Sequence, residues 1–224
     1  MKLSIIIPTL NEEQSLGETL TSISSHAHEA IVVDGGSKDG TVEIAHKYAS
    51  AVLDSSRGRG IQQHTGACHA QGEALLFLHA DTWLPMGFEI MVERALSDSK
   101  TVFGAFQLGH HPSTAFLNLV ALMANLRSLL LKMPYGDQGL FMRHSDYFRV
   151  GGFQDLPIME DVDLVRRLNK IGKFKLVRAK VRTSARRYDR NGIVYTTVRN
   201  WSLIIRYLLG QSPERLHRLY SDAR

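Results

Sequence analysis

The acidic and basic side chains of this sequence include several that together could bind a diphosphate and a divalent cation. Arg57 and Arg59 lie in a glycine-rich segment, and guanidinium groups bind phosphate oxygens through paired hydrogen bonds. Asp81 follows an apolar run, and its carboxylate is the kind of hard oxygen ligand that Mg²⁺ or Mn²⁺ prefers. Asp34 could accept hydrogen bonds from a base or a ribose. Plainer interpretations remain open: Asp81 can cap a helix, and the arginines can belong to a solvated loop.

These residues follow stretches that predict buried strands. The apolar run at 74–78 is short enough for a strand covered on both faces, as in a parallel sheet. The first hundred or so residues alternate strand and helix four times, which predicts a doubly wound, mainly parallel α/β sheet flanked by helices. The carboxyl ends of such strands share one edge, so the polar segments 9–12, 34–39, 57–60 and 79–81 are expected to converge there.

The second half of the chain is less regular. Its patterns predict strands at 102–108, 140–142 and 174–181 and helices at 116–131, 160–168 and 193–209. We expect one α/β domain over 1–185, followed by a basic, amphipathic helical segment at 186–224.

Composition restricts the class of protein. The chain has 224 residues, 44% of them hydrophobic and 22% charged, as in an ordinary folded protein. Cys68 is the only cysteine, which excludes an internal disulfide and suits a reducing compartment; we expect it to be buried as a small apolar side chain. The first residues do not form a secretory signal, so a cytoplasmic location is expected.

A net charge of +5 favours acidic partners: phosphorylated small molecules, nucleic acid or anionic lipid. The positive charges are dispersed without interleaved aromatic residues, so no nucleic-acid partner is expected. The first strand is followed neither by a GxxxxGK[ST] loop nor by GxGxxG, which disfavours a P-loop NTPase or a Rossmann dehydrogenase.

Five motifs in order resemble those of family 2 glycosyltransferases, which have the GT-A fold. They are SIIIPTLNE at 4–12, VVDGGSKDGT at 32–41, LFLHAD at 76–81, VGGF at 150–153 and EDVD at 160–163. The resemblance implies that residues 1–108 bind a nucleotide-diphosphate sugar and that 109–185 face the acceptor. It also implies inverting transfer to an acceptor hydroxyl, assisted by Mg²⁺ or Mn²⁺.

Carried over by position, the resemblance assigns a role to each motif residue. Asp81 matches the last acid of the metal-binding DXD element, and Asp161, within the Glu160–Asp161 pair, matches the general base. Two acids at a helix start also suit the helix dipole without any catalysis. The residues that match nucleotide-binding positions are Pro8, Thr9, Asn11, Glu12 and Asp34.

Two positions depart from the family pattern. His79 stands where the first acid of DXD is usual, and Gly35 stands where an Asp-Asp-Gly-Ser pattern has its second acid. His79 could bind the ribose, assist the metal or have a structural role.

The acceptor side is less defined. The resemblance places acceptor contacts near Asp137 and Gln138, although a satisfied loop turn explains both equally well. The LHADT pattern and the small size resemble a bacterial subgroup linked to arsenosugar biosynthesis, which implies a small-molecule acceptor. A lipid acceptor is the alternative.

The last helix offers two further interpretations. Preceded by Arg186, Arg187 and Arg190, it could rest on the cytoplasmic membrane face as a basic interfacial helix, or pack on the domain or on a second subunit of a homodimer.

Two other functions compete with glycosyl transfer. One is a nucleotidyltransferase acting on a sugar phosphate. The other is a non-catalytic module that binds a nucleotide sugar or a membrane.

Overall fold

The computed structural model describes residues 1–24, 27–186, 188 and 192–221. Its first half alternates strands and helices as predicted: β1 (Leu3–Thr9), α1 (Leu16–Ile23), β2 (Glu29–Asp34), α2 (Thr41–Tyr48), β3 (Ala51–Asp54), α3 (Arg59–His69), β4 (Ala74–Phe77), β5 (Thr82–Trp83) and α4 (Phe88–Leu96). The second half contains β6 (Thr101–His111), α5 (Ala115–Leu131), a 3₁₀ turn (Gly136–Gln138), β7 (Leu140–Arg143), α6 (His144–Arg149), α7 (Glu160–Leu168), β8 (Lys173–Ser184), α8 (Ile193–Leu208) and α9 (Pro213–Ser221).

The described strands form one mixed sheet in the order β3-β2-β1-β4-β7-β6-β8-β5. The four strands β3, β2, β1 and β4 are parallel to one another, as the sequence predicts. The second half departs from a purely parallel sheet because β7 runs antiparallel to both β4 and β6. Strands β6 and β8 are longer than predicted because they pair in parallel along almost their whole length.

Apolar side chains cover both faces of the sheet. Ile5 and Leu76 face a core formed with α1, α4 and α5, whereas Ile6 and Phe77 face a second core formed with α3, α6 and α7. Each fully buried aliphatic or aromatic side chain contributes about 1.5–3 kcal/mol. This two-sided burial explains why the strand sequences are continuously apolar and fixes the polar residues at the strand ends.

The C-terminal helices pack on the α/β domain through a third apolar cluster. Leu203 and Ile204 of α8 and Leu216 of α9 contact Met159 and Val162 at the start of α7. The predicted C-terminal segment thus reaches the acidic pair at 160–161. Arg187 and Arg190 lie outside the described residues.

Two further expectations can be compared with the fold. Cys68 is exposed on α3, contrary to the expected burial, because this helix packs through other positions, among them Gln62, Gln63 and Ala67. None of the described helices combines the length and the apolar character needed to cross a bilayer.

Candidate active site

The loops that follow β1 and β2 are joined by hydrogen bonds at the carboxyl edge of the sheet. Asn11, with a left-handed φ of 56°, accepts a hydrogen bond from the Lys38 N–H at 2.8 Å and donates its own N–H to Ser37 at 2.8 Å. The N–H of Glu12 donates to Thr41 Oγ1 at 2.8 Å. Asn tolerates the left-handed conformation better than most residues, so the sequence supports this tight turn.

Asp34 is buried at the end of β2 and organises the loop that follows it. Its Oδ2 accepts hydrogen bonds from the N–H groups of Gly36 and Ser37 at 2.9 and 2.7 Å. Its Oδ1 accepts from the hydroxyl of Thr9 at 3.1 Å and from that of Ser37. The Asp34 carboxylate thus stabilises the loop that follows β2. A base or a ribose that binds Asp34 would share a carboxylate that already accepts hydrogen bonds from the protein.

Gln62 of α3, which sequence reasoning missed, packs against Gly35, one of the two positions that depart from the family pattern. Its side-chain amide donates to the backbone oxygens of Thr9 and Val33, both at 2.8 Å. A Cβ at Gly35 would already lie 3.1 Å from that amide group. A side chain at position 35 would therefore require Gln62, which joins β1 to β2, to shift by a few tenths of an ångström.

Arg186, just after β8, connects two acids from distant parts of the sequence. Its Nη2 lies 2.6 Å from Glu12 Oε2 and 3.6 Å from Asp81 Oδ2. The hydrogen bond with Glu12 is the main reason why the pKa of Arg186 is raised. The predicted metal ligand Asp81 thus lies next to the long, half-exposed side chain of Arg186. Its guanidinium could release a carboxylate and bind a phosphate instead.

A cavity of about 180 Å³ lies between this sheet edge and the C-terminal helices. Its charged and polar lining includes Arg59, His79, Asp81, His110, Tyr135, Asp137, Asp161, Tyr188, Thr196 and Asn200, and its apolar lining includes Ile158, Met159, Val162, Leu203 and Ile204. The structure thus brings four predicted site residues, Arg59, His79, Asp81 and Asp161, to one cavity.

The two acids at the start of α7 have different surroundings. Glu160 is buried, and its Oε1 forms a 2.8 Å ion pair with Arg59 Nε at the start of α3. Burial raises the pKa of Glu160, while the Arg59 charge opposes that rise; Glu160 in turn raises the pKa of Arg59. Arg59 is therefore engaged with Glu160, and Asp161 is the member of the acidic pair that lines the cavity.

Asp161 is held by two backbone donors. Its Oδ2 accepts a hydrogen bond from Gly136 N–H at 2.8 Å, and its Oδ1 accepts from Val162 N–H at 2.8 Å. A Cβ at Gly136 would lie 3.2 Å from His79 Nε2 and 3.5 Å from Asp161 Oδ2, so these two side chains meet at Gly136. The helix N-terminus also favours the charged carboxylate.

The 3₁₀ turn that carries Gly136 is supported by a buried polar network that the sequence did not reveal. Gln138 Oε1 accepts from Arg127 Nη2 at 3.2 Å and from Ser128 Oγ at 2.8 Å, and its Nε2 donates to Phe106 O at 3.0 Å. Gln138 is fully buried, so of its two predicted roles the satisfied turn is correct and the acceptor contact is wrong. Asp137 does line the cavity.

Tyr135 forms another wall of the cavity. The Arg127 guanidinium lies over its ring, 3.3 Å from the ring centre, and burial raises the pKa of the Tyr135 phenol to about 12. This phenol therefore stays protonated near neutral pH.

The VGGF motif forms a tight turn directly after α6. Gly151 and Gly152 have φ values of 82° and 62°, and the Phe153 N–H donates to the Tyr147 hydroxyl at 2.9 Å. A Cβ at Gly152 would lie 2.8 Å from both Tyr147 and His64. The glycines are thus required by the turn and by close packing.

Other predicted site residues lie outside this cavity. Pro8 and Thr9 end β1, Asn11 and Glu12 lie in the loop that follows it, and Asp34 ends β2. Arg57 is exposed, and like these five it is not one of the described residues that line the cavity.

A divalent cation fits this site only if the substrate supplies most of its ligands. The described residues include no group of three or more His, Cys, Asp or Glu that could hold a metal ion. Asp81 does present a carboxylate to the cavity, and Mg²⁺ is often held by one or two carboxylates plus substrate phosphates. The donor set therefore fits a cation shared with a diphosphate.

Comparisons with known proteins agree with this arrangement. A sequence model of the family described as Glycosyl transferase family 2 matches residues 4–154. Glycosyltransferase AglE of Haloferax volcanii is 33% identical over 101 residues, covering 38% of this chain and 33% of that protein. The human dolichyl-phosphate beta-glucosyltransferase is 29% identical over 117 residues, covering 43% of this chain and 36% of that protein. The chain thus spans about a third of the length of these two relatives.

Solved structures show the same fold. TarS of S. aureus in complex with UDP-GlcNAc has a TM-score of 0.66 at 18% identity, covering 82% of this chain and 58% of that chain. Glucosyl-3-phosphoglycerate synthase from Mycobacterium tuberculosis, in complex with Mn²⁺, UDP and glucosyl-3-phosphoglycerate, has a TM-score of 0.60 at 16% identity, covering 80% and 70%. These likenesses confirm the predicted GT-A fold.

Proposed function

Because the chain belongs to glycosyl transferase family 2, we propose that it transfers a sugar from a nucleotide-diphosphate donor to an acceptor hydroxyl with inversion, and that Asp161 is the general base. The observation that carries this proposal is the placement of Asp161: it lines the cavity beside His79, while Glu160 is engaged with Arg59. The UDP-GlcNAc and UDP of the structural neighbours support a nucleotide donor.

The reaction is a direct displacement. The acceptor oxygen bonds to the anomeric carbon, the bond from that carbon to the diphosphate breaks, and Asp161 accepts the hydroxyl proton. Proton removal by a positioned carboxylate contributes typically about 10²- to 10⁴-fold to such a rate. Gly136 N–H and Val162 N–H fix the carboxylate before the substrate arrives, which reduces the ordering cost of the reaction.

Charge on the leaving diphosphate is neutralised by nearby cations. Arg186 can exchange Glu12 for a phosphate oxygen, because both partners are hydrogen-bonding anions and its side chain is half exposed. A Mg²⁺ or Mn²⁺ ion held by Asp81 and the diphosphate would stabilise the same charge, in line with the Mn²⁺ of one structural neighbour. Arg59 positions Glu160 and closes the wall next to Asp161.

We also propose that the protein rests on anionic lipid through an apolar surface formed by α5 and α8, two helices that contact each other. The exposed large apolar side chains of this surface are Phe116, Leu119, Leu122, Met123, Leu126, Leu129, Leu130 and Leu131 of α5, and Val194, Tyr195, Val198, Trp201, Ile205 and Leu208 of α8. Neither helix contains an acidic residue, and Arg206 is exposed on α8. Positive charge beside exposed apolar area matches an anionic membrane interface.

Product analysis tests the proposed reaction. A thermal-shift screen of nucleotide sugars with Mg²⁺ and Mn²⁺ selects the donor, which is then incubated with acceptors and the full chain. Release of nucleoside diphosphate together with a new glycoside of inverted anomeric configuration supports the proposal. Pyrophosphate release would instead identify a nucleotidyltransferase, and donor binding without turnover would identify a binding module.

A further inference from the structure

Two buried polar side chains of the cavity have unsatisfied hydrogen-bonding atoms. His110, near the end of β6, is 5% exposed, and Thr196, in the first turn of α8, is 1% exposed. Within the described part of the chain, neither ring nitrogen of His110 nor the hydroxyl of Thr196 has a hydrogen-bond partner. Buried polar groups are nearly always paired, so two unpaired groups lining one cavity indicate a ligand that pairs with them.

The protonation state of His110 restricts that ligand. Burial lowers the pKa of His110 to about 4, so its ring is neutral near pH 7 and offers one N–H donor and one nitrogen acceptor. The Thr196 hydroxyl likewise donates and accepts. A hydroxyl group matches both, because it also donates and accepts, whereas a phosphate oxygen only accepts and an ammonium only donates.

The remaining walls of the cavity favour an uncharged ligand. The carboxylates of Asp81, Asp137 and Asp161 line the same space, and the cation that also lines it, Arg59, is paired with Glu160, so a second anion is disfavoured. Leu203 and Ile204 of α8 supply apolar area against which the carbon faces of a polyol or a sugar can pack.

We propose that His110 and Thr196 form a subsite for hydroxyl groups of an uncharged, polyhydroxylated acceptor, an inference that rests on the proposed glycosyl transfer. The subsite joins the α/β domain to the C-terminal segment, since β6 supplies one residue and α8 the other. Helix α8 therefore takes part in acceptor selection, and the acceptor reaches Asp161 within a single cavity.

Binding measurements with defined probes test the subsite in the full chain. The probes are myo-inositol, methyl α-glucoside and glycerol, with glycerol 3-phosphate as the anionic counterpart, observed by saturation-transfer NMR. Thr196→Val removes the hydroxyl at nearly constant shape, and Thr196→Ser is the matched control that keeps it. We expect Thr196→Val to weaken binding of the neutral probes about three- to tenfold, as for one lost hydrogen bond, and Thr196→Ser to bind like the unmodified protein.

Three results would overturn the inference: unchanged binding by Thr196→Val, a loss of affinity in Thr196→Val that is larger for glycerol 3-phosphate than for glycerol, or no binding of any neutral probe. Should Thr196→Val fail to fold, His110→Phe compared with His110→Gln makes the same distinction, since only Gln keeps a donor and an acceptor. The binding assay requires no nucleotide sugar, so it tests the subsite independently of the proposed glycosyl transfer. Polyol binding without glycoside formation refutes only the proposed function, and glycoside formation with an unchanged acceptor KM in Thr196→Val refutes only the subsite.

Discussion

The backbone N–H of Gly136 donates a 2.8 Å hydrogen bond to Oδ2 of Asp161, and this contact joins the 3₁₀ turn after α5 to the first turn of α7. The turn is itself fixed by the buried side chain of Gln138, which binds Arg127, Ser128 and the backbone of Phe106. The proposed base is thus oriented by residues that never touch the acceptor. Changes at Gly136 should therefore affect turnover more than folding.

Gly136→Ala tests this orientation. The new Cβ would lie 3.2 Å from His79 Nε2, so His79 must shift by a few tenths of an ångström, and 3.5 Å from Asp161 Oδ2, which is an ordinary contact. Because the displaced His79 lies beside the proposed base, we expect kcat to fall about 10-fold. Gly17→Ala on α1 is the matched control, because its Cβ meets only Ile44 at an ordinary 3.6 Å. Equal turnover in the two variants would contradict the orienting role.

Arg59→Ala tests the ion pair with Glu160. Removal of the guanidinium leaves the buried Glu160 carboxylate without its 2.8 Å partner. We expect the free energy of unfolding to fall by about 2–4 kcal/mol. This loss is smaller than for a fully buried pair because Arg59 is half exposed. Urea unfolding measures this value. The double variant Arg59→Ala/Glu160→Gln should recover part of the loss, and a double variant no more stable than Arg59→Ala would show that the pair is not the cause.

His110 makes stability depend on pH. Its pKa is lowered from 6.5 to about 4 by burial, so between these values the unfolded chain binds a proton that the folded chain does not. Stability therefore falls as the pH decreases through this window, by about 2 kcal/mol from pH 7.5 to pH 5. His110→Gln should lose this part of the pH dependence in urea unfolding. An identical pH dependence in both proteins would show that His110 titrates normally.

The apolar surface of α5 and α8 predicts association with vesicles. Leu130→Glu introduces a charge at a position that is 72% exposed on that surface, and Ile90→Glu does the same at a 66% exposed position on α4. We expect Leu130→Glu to reduce co-sedimentation with vesicles that contain phosphatidylglycerol, and Ile90→Glu to leave it unchanged. Equal recovery of both variants would refute the lipid contact. A dimer that only Leu130→Glu dissociates would identify a second copy of the chain as the occupant.

The parallel half of the sheet and the acids at its edge could be predicted because they depend on short stretches of sequence. Asp81 follows its own strand, and Asp161 lies in the first turn of its own helix. The antiparallel course of β7 and the long pairing of β6 with β8 were not predictable, because they depend on contacts between distant segments. For the same reason no sequence pattern indicated Gln62, His110 or Thr196, whose roles arise from where α3, β6 and α8 pack. The expected burial of Cys68 was wrong, and the two interpretations of Gln138 could not be separated, because the sequence alone does not define which helix face or which loop side chain is buried.

The most direct test of the account compares the turnover of Asp161→Asn with that of Asp155→Asn. Asparagine keeps the shape of Asp161 but cannot accept the acceptor proton as a base, while Asp155 is exposed and does not line the cavity. With the donor chosen by thermal shift, we predict that Asp161→Asn loses at least about 100-fold in kcat but retains its affinity for the donor. We predict that Asp155→Asn keeps both the kcat and the donor affinity of the unmodified protein. Turnover close to the unmodified rate in Asp161→Asn would contradict the assignment of the base.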